Sequence, residues 1–589
     1  MKRRTFAIIF TVIGVMFFLT IGGFVALFLL FGRSPVIPSH ARLTLRIGGD
    51  LAEMTPGDVV SYLSGGRTPT VRGIVDNLRK AGVDERVHSV LLRPTGLTTP
   101  YWGKVQEIRD AVMDFKKSGK PVYAYLEYGG DRDYYLASVA DKVFLMPSSP
   151  LDVTGVATYE LFLRGTLDKI GVVADLHHIG DYKTASNTFT EKGFTAAHRE
   201  MDASLNRDLY EQIVQGIAEG RKKSEDEVRR LLDQGPFLPE DALRAGLVDD
   251  VAYEDQVSQK LEAPGRSDSS LDAEDYGLVS LRSLGLNRGP RIAVIYTAGT
   301  IASGPSGYDP LEGTIVGSDT IIEYIRQIRK DSSVRAIVLR IDSPGGSAAA
   351  SDAIWRELMI ARKEREDRPI IASMSDLAAS GGYYVALPAH AIVAQPATLT
   401  GSIGIFGGKF TTGGVYEKLS ARVDSVSNGK NAEINSPVRP YNAEERKKVE
   451  EQLHAFYDQF VEKVAQSRKS TPEKINQLAQ GRVWTGRQAK ENGLVDALGG
   501  LGSALALAKQ QAKIDARSEV ELVVYPPAKS FFELLADQLS GTGGQTAFGA
   551  VLSSNLSPAE IEVLRAMRGP LSMFRRGEPL ALMPFTFLR

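Results

Sequence analysis

Apolar positions along this chain repeat with two periods that alternate. Ala41-Arg-Leu-Thr-Leu-Arg-Ile47 places an apolar residue at every second position, the pattern of a strand with one face in a core. Arg291-Ile-Ala-Val-Ile-Tyr296 opens a second series in the same way. Each is followed by an amphipathic helical stretch, 73–81 or 320–330, and then by a short apolar run, 89–93 or 336–341, that reads as a buried strand. Another helix leads to Pro121-Val-Tyr-Ala-Tyr125 or Pro369-Ile-Ile-Ala-Ser373. Strands alternating with helices predict stacked β–β–α or β–α–β units around largely parallel sheets, an α/β fold. The charged, helix-favouring segments 199–234 and 443–480 predict an outer helical layer.

The two series are copies of one pattern. Tyr134 and Tyr135 fall on Tyr383 and Tyr384, Pro147 on Pro396, Gly155 on Gly404 and Gly180 on Gly429, all at a spacing of 249 residues. Val87-His-Ser-Val-Leu-Leu-Arg93 resembles Val334-Arg-Ala-Ile-Val-Leu-Arg340, and Ala242-x-x-x-Gly-Leu-Val-Asp249 recurs as Ala489-x-x-x-Gly-Leu-Val-Asp496. The spacing there changes by only two residues, as loop differences produce. In the main register Asp131-Arg132-Asp133 falls on Ser380-Gly381-Gly382, and Lys183 falls on Ala432. Each copy therefore lacks what the other keeps, which points to a serine–lysine pair assembled between the halves.

At 589 residues the chain exceeds a single core, and two halves of about 250 residues suit ordinary domain sizes. Residues 5–32 carry no charge, and as a helix they would extend about 42 Å, enough to cross a hydrocarbon core of about 30 Å. Lys2, Arg3 and Arg4 precede the stretch and only Arg33 follows closely, which places the N-terminus in the cytoplasm and the rest outside. A cleaved signal peptide has a shorter apolar region ending at a small-x-small site, whereas this stretch runs into Gly-Arg-Ser-Pro-Val-Ile-Pro38. The expected organisation is a cytoplasmic end (1–4), a transmembrane anchor (5–32), a first repeat domain (33–261), a Gly/Ser/Asp-rich linker (262–289), a second repeat domain (290–515) and a C-terminal extension (516–589). In the extension, Phe531-Phe-Glu-Leu-Leu535 and 571–588 read as amphipathic, with a helical cap as the simplest role.

Composition narrows the chemistry. Seventy basic residues balance 71 acidic ones, so no global field favours a nucleic acid. The absence of cysteine excludes thiol nucleophiles, disulfides and cysteine-held metals. The seven histidines are scattered, and none forms His-Glu-x-x-His, which leaves a metallopeptidase with little support.

Ser380 lies in Ala378-Ala-Ser-Gly-Gly-Tyr-Tyr384, after an expected strand and at the start of an expected helix. A nucleophile there is exposed at a turn, with free backbone N–H groups beside it to hold an anion. Most serines in such a position merely cap a helix. Asp342-Ser-Pro-Gly-Gly-Ser347 follows another buried strand; its glycines can present N–H groups to an oxyanion, although alone it reads as a type II turn. Neither this loop nor Gly404-Ile-Phe-Gly-Gly-Lys409 has the spacing of a phosphate loop. No Gly-x-Ser-x-Gly elbow is present, and the nearest histidine, His390, is ten residues along the same stretch. A lysine is the remaining base. Its free pKa of about 10.4 must be drawn down by burial, at about 1.4 kcal/mol for each tenfold change, before it works near neutrality. Lys183, in Gly180-Asp-Tyr-Lys-Thr-Ala-Ser186, is the candidate, and Lys430 in the serine's own half is its rival. The repeat register disfavours Lys430.

Asp342-Ser-Pro-Gly-Gly346, Ala379-Ser-Gly-Gly-Tyr-Tyr384, Thr400-Gly-Ser-Ile-Gly-Ile405 and Gly180-Asp-Tyr-Lys183 together resemble the signal peptide peptidase A family in its long, duplicated, membrane-bound form. The resemblance runs from the anchor to about residue 515. It implies two tandem Clp protease/crotonase-like domains and a serine–lysine peptidase without a cofactor. Ser380 would be the nucleophile and Lys183 the general base. Backbone N–H groups at Gly346 and Gly381 would form the oxyanion hole, with Gly345 shaping the loop and Ser402 orienting the lysine. It also implies a homotetramer on the outer side of a bacterial cytoplasmic membrane, degrading remnants of cleaved signal peptides and other apolar peptides. Two other readings compete: a crotonase-type acyl-CoA enzyme, which needs neither anchor nor split pair, and a non-catalytic membrane scaffold.

Overall fold

The computed structural model describes residues 37–54, 70–262, 269–309, 313–527, 578–584 and 587–588, together with Gly14 and Gly22. The expected anchor, apart from those two glycines, lies outside the described residues. Among the described residues no helix is long and apolar enough to cross a membrane.

The first half is a six-stranded parallel sheet in the order Ser269–Asp272, Ala41–Gly49, Val87–Leu97, Val122–Leu126, Lys142–Leu145, Asp250–Val251. The second half repeats this with Glu521–Tyr525, Arg291–Ala298, Val334–Ser343 and Ile370–Ala379 side by side and parallel. Ile370–Ala379 then pairs with both Ala391–Ala394 and Leu399–Gly401. Its apolar runs are continuous because the sheet is covered on both faces. Ala293 and Ile295 enter one core while Ile292 and Val294 enter another.

The duplication is visible in detail. Helices Ala196–Arg221 and Ala443–Arg468 have 26 residues each and both end on a left-handed lysine, Lys222 or Lys469. The Tyr134 hydroxyl donates to the Leu247 carbonyl at 2.7 Å, and Tyr383 donates to Leu494 at 2.8 Å. Arg221 clasps Asp249 as Arg468 clasps Asp496. Two segments expected to be plain connector and extension carry strands of these sheets. Ser269–Asp272 and Glu521–Tyr525 occupy matching edges beside the first strand of each half, so the copies extend past residue 515. Their side chains share little from copy to copy, because an edge strand is held largely by backbone pairing.

Buried charges join the halves. Arg340, 1% exposed, reaches from the second half to Glu53 at 2.8 and 2.9 Å and to Glu107 at 2.7 Å, both in the first. Lys104 of the first half lies 2.8 Å from Asp342 and 3.4 Å from Asp376. Replacing Arg340 by methionine would take from buried Glu53 and Glu107 the cation that bonds them both. The expected loss is roughly 3–5 kcal/mol, read as a lower urea midpoint.

A third sheet positions the site. Its order is Gly307–Asp309, Gly313–Gly317, Thr300–Ala302, Gly345–Ser347, Leu580–Leu582, Ile405–Thr411, Val173–Ile179. Here Val173–Ile179 of the first half runs antiparallel to Ile405–Thr411 of the second, from Val173 opposite Thr411 to Ile179 opposite Ile405. Leu580–Leu582 is a buried strand and not the helical cap expected for this stretch.

Candidate active site

Ser380 stands where strand Ile370–Ala379 turns into helix Gly381–Ala386. Its backbone has φ 55 and ψ −112, a sparsely populated conformation for a residue with a side chain. A bond from its N–H to the Gly401 carbonyl at 2.8 Å holds it there. The turn aims the hydroxyl away from its own helix. Ser380 is fully buried, contrary to the expectation of an exposed nucleophile, and the Ala581 carbonyl oxygen lies 3.2 Å from where a Cβ on its neighbour Gly381 would stand.

The lysine arrives from the other half. The inter-half pairing ends at Ile179 opposite Ile405, and the chain then turns through Gly180 to Lys183, where a 3₁₀ turn, Thr184–Ser186, begins. The Tyr182 N–H donates to the Gln480 carbonyl at 3.0 Å and fastens the turn to the second half. Gly481 permits this approach: a Cβ on it would lie 2.4 Å from the Lys183 Cα. On the other side, a Cβ on Gly404 would lie 3.1 Å from the Lys183 Cδ. Sequence reasoning missed Gln480 and Gly481; their only signal was the glycine itself, a common mark of a turn.

The Lys183 Nζ lies 2.7 Å from the Ser380 Oγ, 3.0 Å from the Ser402 Oγ and 3.1 Å from the Ser402 carbonyl oxygen. Lys183 is fully buried, and burial alone drives its pKa well below the ordinary 10.5. A neutral amine has two N–H groups and one lone pair. With both hydrogens donated to Ser402, the lone pair is left for the Ser380 hydroxyl proton. Ser402 is itself fixed, with φ 48 and its N–H on the Arg482 carbonyl at 2.7 Å. Replacing Ser402 by alanine is expected to lower kcat roughly 10- to 100-fold with little change in KM. Because the lost oxygen favours the ammonium form, the acid limb of the pH–rate profile should move to lower pH.

Gly345 and Gly346 have φ 103 and 149, both in glycine's region. The Gly345 N–H donates to the Ser343 hydroxyl at 3.2 Å, so this residue shapes the loop. A Cβ on Gly345 would lie 2.7 Å from the Gly381 nitrogen, so the glycine loop meets the turn that follows Ser380. Lys430, the rival base, is exposed and pairs with Glu444 at 2.7 Å, far from any desolvating wall. Ala432, which matches Lys183 in the repeat, is exposed as well. In the first half the serine's counterpart, Asp131, accepts from the backbone N–H groups of Thr154 and Gly155 at 3.0 Å each, a structural use. Among the described residues, Glu160, His198 and Asp202 offer ligand atoms within 4.8 Å of one another. None of them belongs to the serine–lysine assembly.

A strained serine, a buried lysine within hydrogen-bond reach and a glycine loop are the parts of a serine hydrolase. The peptidase family S49 pattern matches residues 114–266 and 362–515, one span in each half. The chain belongs to peptidase family S49. It is 36% identical over 509 residues to "Serine protease SPPA, chloroplastic" of Arabidopsis thaliana, covering 85% of this chain and 73% of that protein. It is 34% identical over 480 residues to "Protease 4" of Salmonella typhi, covering 80% and 76%. A "Putative signal peptide peptidase SppA" of Enterococcus faecium matches 200 residues at 34% identity, 34% of this chain and 58% of that protein. This S49 member is a serine peptidase, a hydrolase.

Proposed function

We propose that this S49 peptidase is an endopeptidase that uses Ser380 as nucleophile and Lys183 as general base. The observation that carries the assignment is the 2.7 Å approach of a fully buried amine to the serine oxygen, with no carboxylate among the described residues beside it to hold the proton. Neutral Lys183 accepts the Ser380 proton as the oxygen attacks a peptide carbonyl, then passes it to the leaving amine. Gly346 and Gly381 N–H groups hold the oxyanion, a contribution of about 3 kcal/mol per donor in known hydrolases. Water then resolves the acyl-enzyme, with the same lysine taking its proton.

The substrates are extended apolar peptides, including remnants of cleaved signal sequences. The side of the glycine loop that pairs with Leu580–Leu582 offers backbone groups on which an extended peptide can pair in that strand's place, and one relative bears the name of a signal peptide peptidase. The stretch 5–32 anchors the chain in the bacterial cytoplasmic membrane with the catalytic halves outside, and the β–β–α halves, of Clp protease/crotonase type, assemble as a homotetramer.

The test is cleavage of an apolar reporter peptide by the full chain in detergent, with labelling by a serine-directed phosphonate. Label found on Ser380, and lost at acid pH as Lys183 becomes charged, supports the reading. Cleavage that persists in Ser380→Ala, or that requires Lys430 and not Lys183, ends it. Binding of acyl-CoA without peptide cleavage would favour the crotonase alternative.

A further inference from the structure

The first turns of helix Ala196–Arg221 hold groups that the peptidase chemistry does not use. His198 and Asp202 stand one helical turn apart on one face, and Glu160 follows strand Thr158–Tyr159 of the same half. The three offer ligand atoms within 4.8 Å of one another. His198 is 1% exposed and Asp202 6%. Among the described residues neither ring nitrogen of His198 and neither carboxylate oxygen of Asp202 has a hydrogen-bond partner. Buried polar groups in that state are rare, because each has given up water and gained nothing.

The geometry favours an ion over a plain His–Asp pair. Phe194 and Phe162 pack edge-on against the imidazole, with centroids 4.9 and 5.9 Å away, and fix its plane. Its Nε2 then lies 3.7 Å from the Asp202 Oδ2. An N–H···O bond would draw these atoms to about 2.9 Å. Two donors bonded at about 2.1 Å to one tetrahedral ion stand about 3.4 Å apart, closer to the gap observed.

The repeat supplies an internal comparison. Lys409 stands at the position of Glu160, 249 residues on, and Glu445 matches His198 as the third residue of its 26-residue helix. In the second half the chain brings its own cations to this corner. Arg439 donates to both Glu445 oxygens at 2.7 Å, and the charge of Lys409 acts on the same carboxylate. The first half places two carboxylates and an imidazole there, and among the described residues no lysine or arginine pairs with Asp202.

We propose that Glu160, His198 and Asp202 bind one divalent transition-metal ion of the zinc class as a structural clamp. An imidazole nitrogen with two carboxylates suits zinc and its first-row neighbours better than calcium or magnesium, which take shells of oxygen. The helix dipole puts about half a positive charge at this end, and two carboxylates outweigh it. The ion ties strand Thr158–Tyr159 to a helix whose neighbouring residues brace the catalytic loops. Glu200 bonds Arg482 at 2.7 and 2.9 Å, the Arg482 carbonyl holds the Ser402 N–H, and Met201 packs with Ala379 and Leu399. The clamp steadies that helix and supplies no group to the chemistry.

The experiment strips the full chain in detergent with a chelator, titrates it with zinc, and reads metal content, Tm and the visible absorption of cobalt(II) in zinc's place. Wild type should bind one zinc per chain, show the visible bands of tetrahedral cobalt, and melt about 5 °C higher at a hundredfold excess over Kd. His198→Gln and Asp202→Asn should each weaken binding roughly 100-fold or more, since loss of an outer-shell partner alone costs about 10- to 100-fold. Glu160 is only half-buried, so Glu160→Gln, with binding weakened at least roughly tenfold, serves where a buried variant fails to fold. Ser380→Ala should bind zinc as wild type does, which separates this result from the serine–lysine reading. A wild type that takes up no stoichiometric zinc, zinc bound equally by the three ligand variants, or calcium bound as tightly as zinc overturns the proposal.

Discussion

Ser380→Ala is expected to abolish peptide cleavage, with kcat lowered by a factor of 10³ or more, while the chain stays folded. The oxygen removed lies 2.7 Å from the Lys183 Nζ and belongs to the residue directly before Gly381. The neighbouring Ser402 oxygen lies 3.0 Å from the same amine but is held by a different loop. Alanine also removes little from the core. The strained φ of 55 persists, because the bond from residue 380 to the Gly401 carbonyl is made by the backbone. The measurement is reporter cleavage together with a denaturation curve. An unchanged midpoint with residual activity near wild type would remove Ser380 from the chemistry.

Lys183→Met is expected to give an equal loss of turnover and, at neutral pH, a more stable protein. Burial holds the Lys183 pKa far below 10.5, so folding at neutral pH strips a proton from an amine that is charged in the unfolded chain. For a lowered folded pKa the sign is fixed. The group's contribution is complete above 10.5, and it declines as pH falls from there toward the folded value. Methionine fills the channel beside Gly404 and Gly481 with similar volume and carries no such penalty. The variant's Tm should exceed wild type by a few degrees at pH 7, and the gap should close as pH rises toward 10.5. A wild-type enzyme that gains activity as pH falls, or a methionine variant that is less stable at pH 7, contradicts a neutral buried amine.

The same protonation argument sets the direction of the activity profile. Activity and phosphonate labelling should fall on the acid side as Lys183 takes a proton, since the ammonium has no lone pair for the serine. Ser402 bears on this limb through its oxygen alone, so its alanine variant separates positioning from chemistry.

Periodicity and repetition in the sequence determine the α/β class, the two copies and the alternation of buried strands with helices. They do so because a parallel sheet covered on both faces demands continuous apolar runs, as in Arg291–Ala298, which feeds two cores. The division of the chemistry was legible too. Asp131 stands opposite Ser380 and Ala432 opposite Lys183, so each half keeps one partner and lacks the other. Tertiary structure alone decided the rest. That a lysine and a serine 197 residues apart come within 2.7 Å depends on Val173–Ile179 crossing to Ile405–Thr411, and backbone pairing of that kind leaves almost no mark in side-chain pattern. The edge strands Ser269–Asp272 and Glu521–Tyr525 escaped notice for the same reason. Leu580–Leu582, four apolar residues with Met583 in a stretch that reads as amphipathic, becomes a groove-filling strand only because two open backbone edges stand one strand's width apart. A short apolar run takes its conformation from the partner it meets, and that partner is supplied by the folded halves.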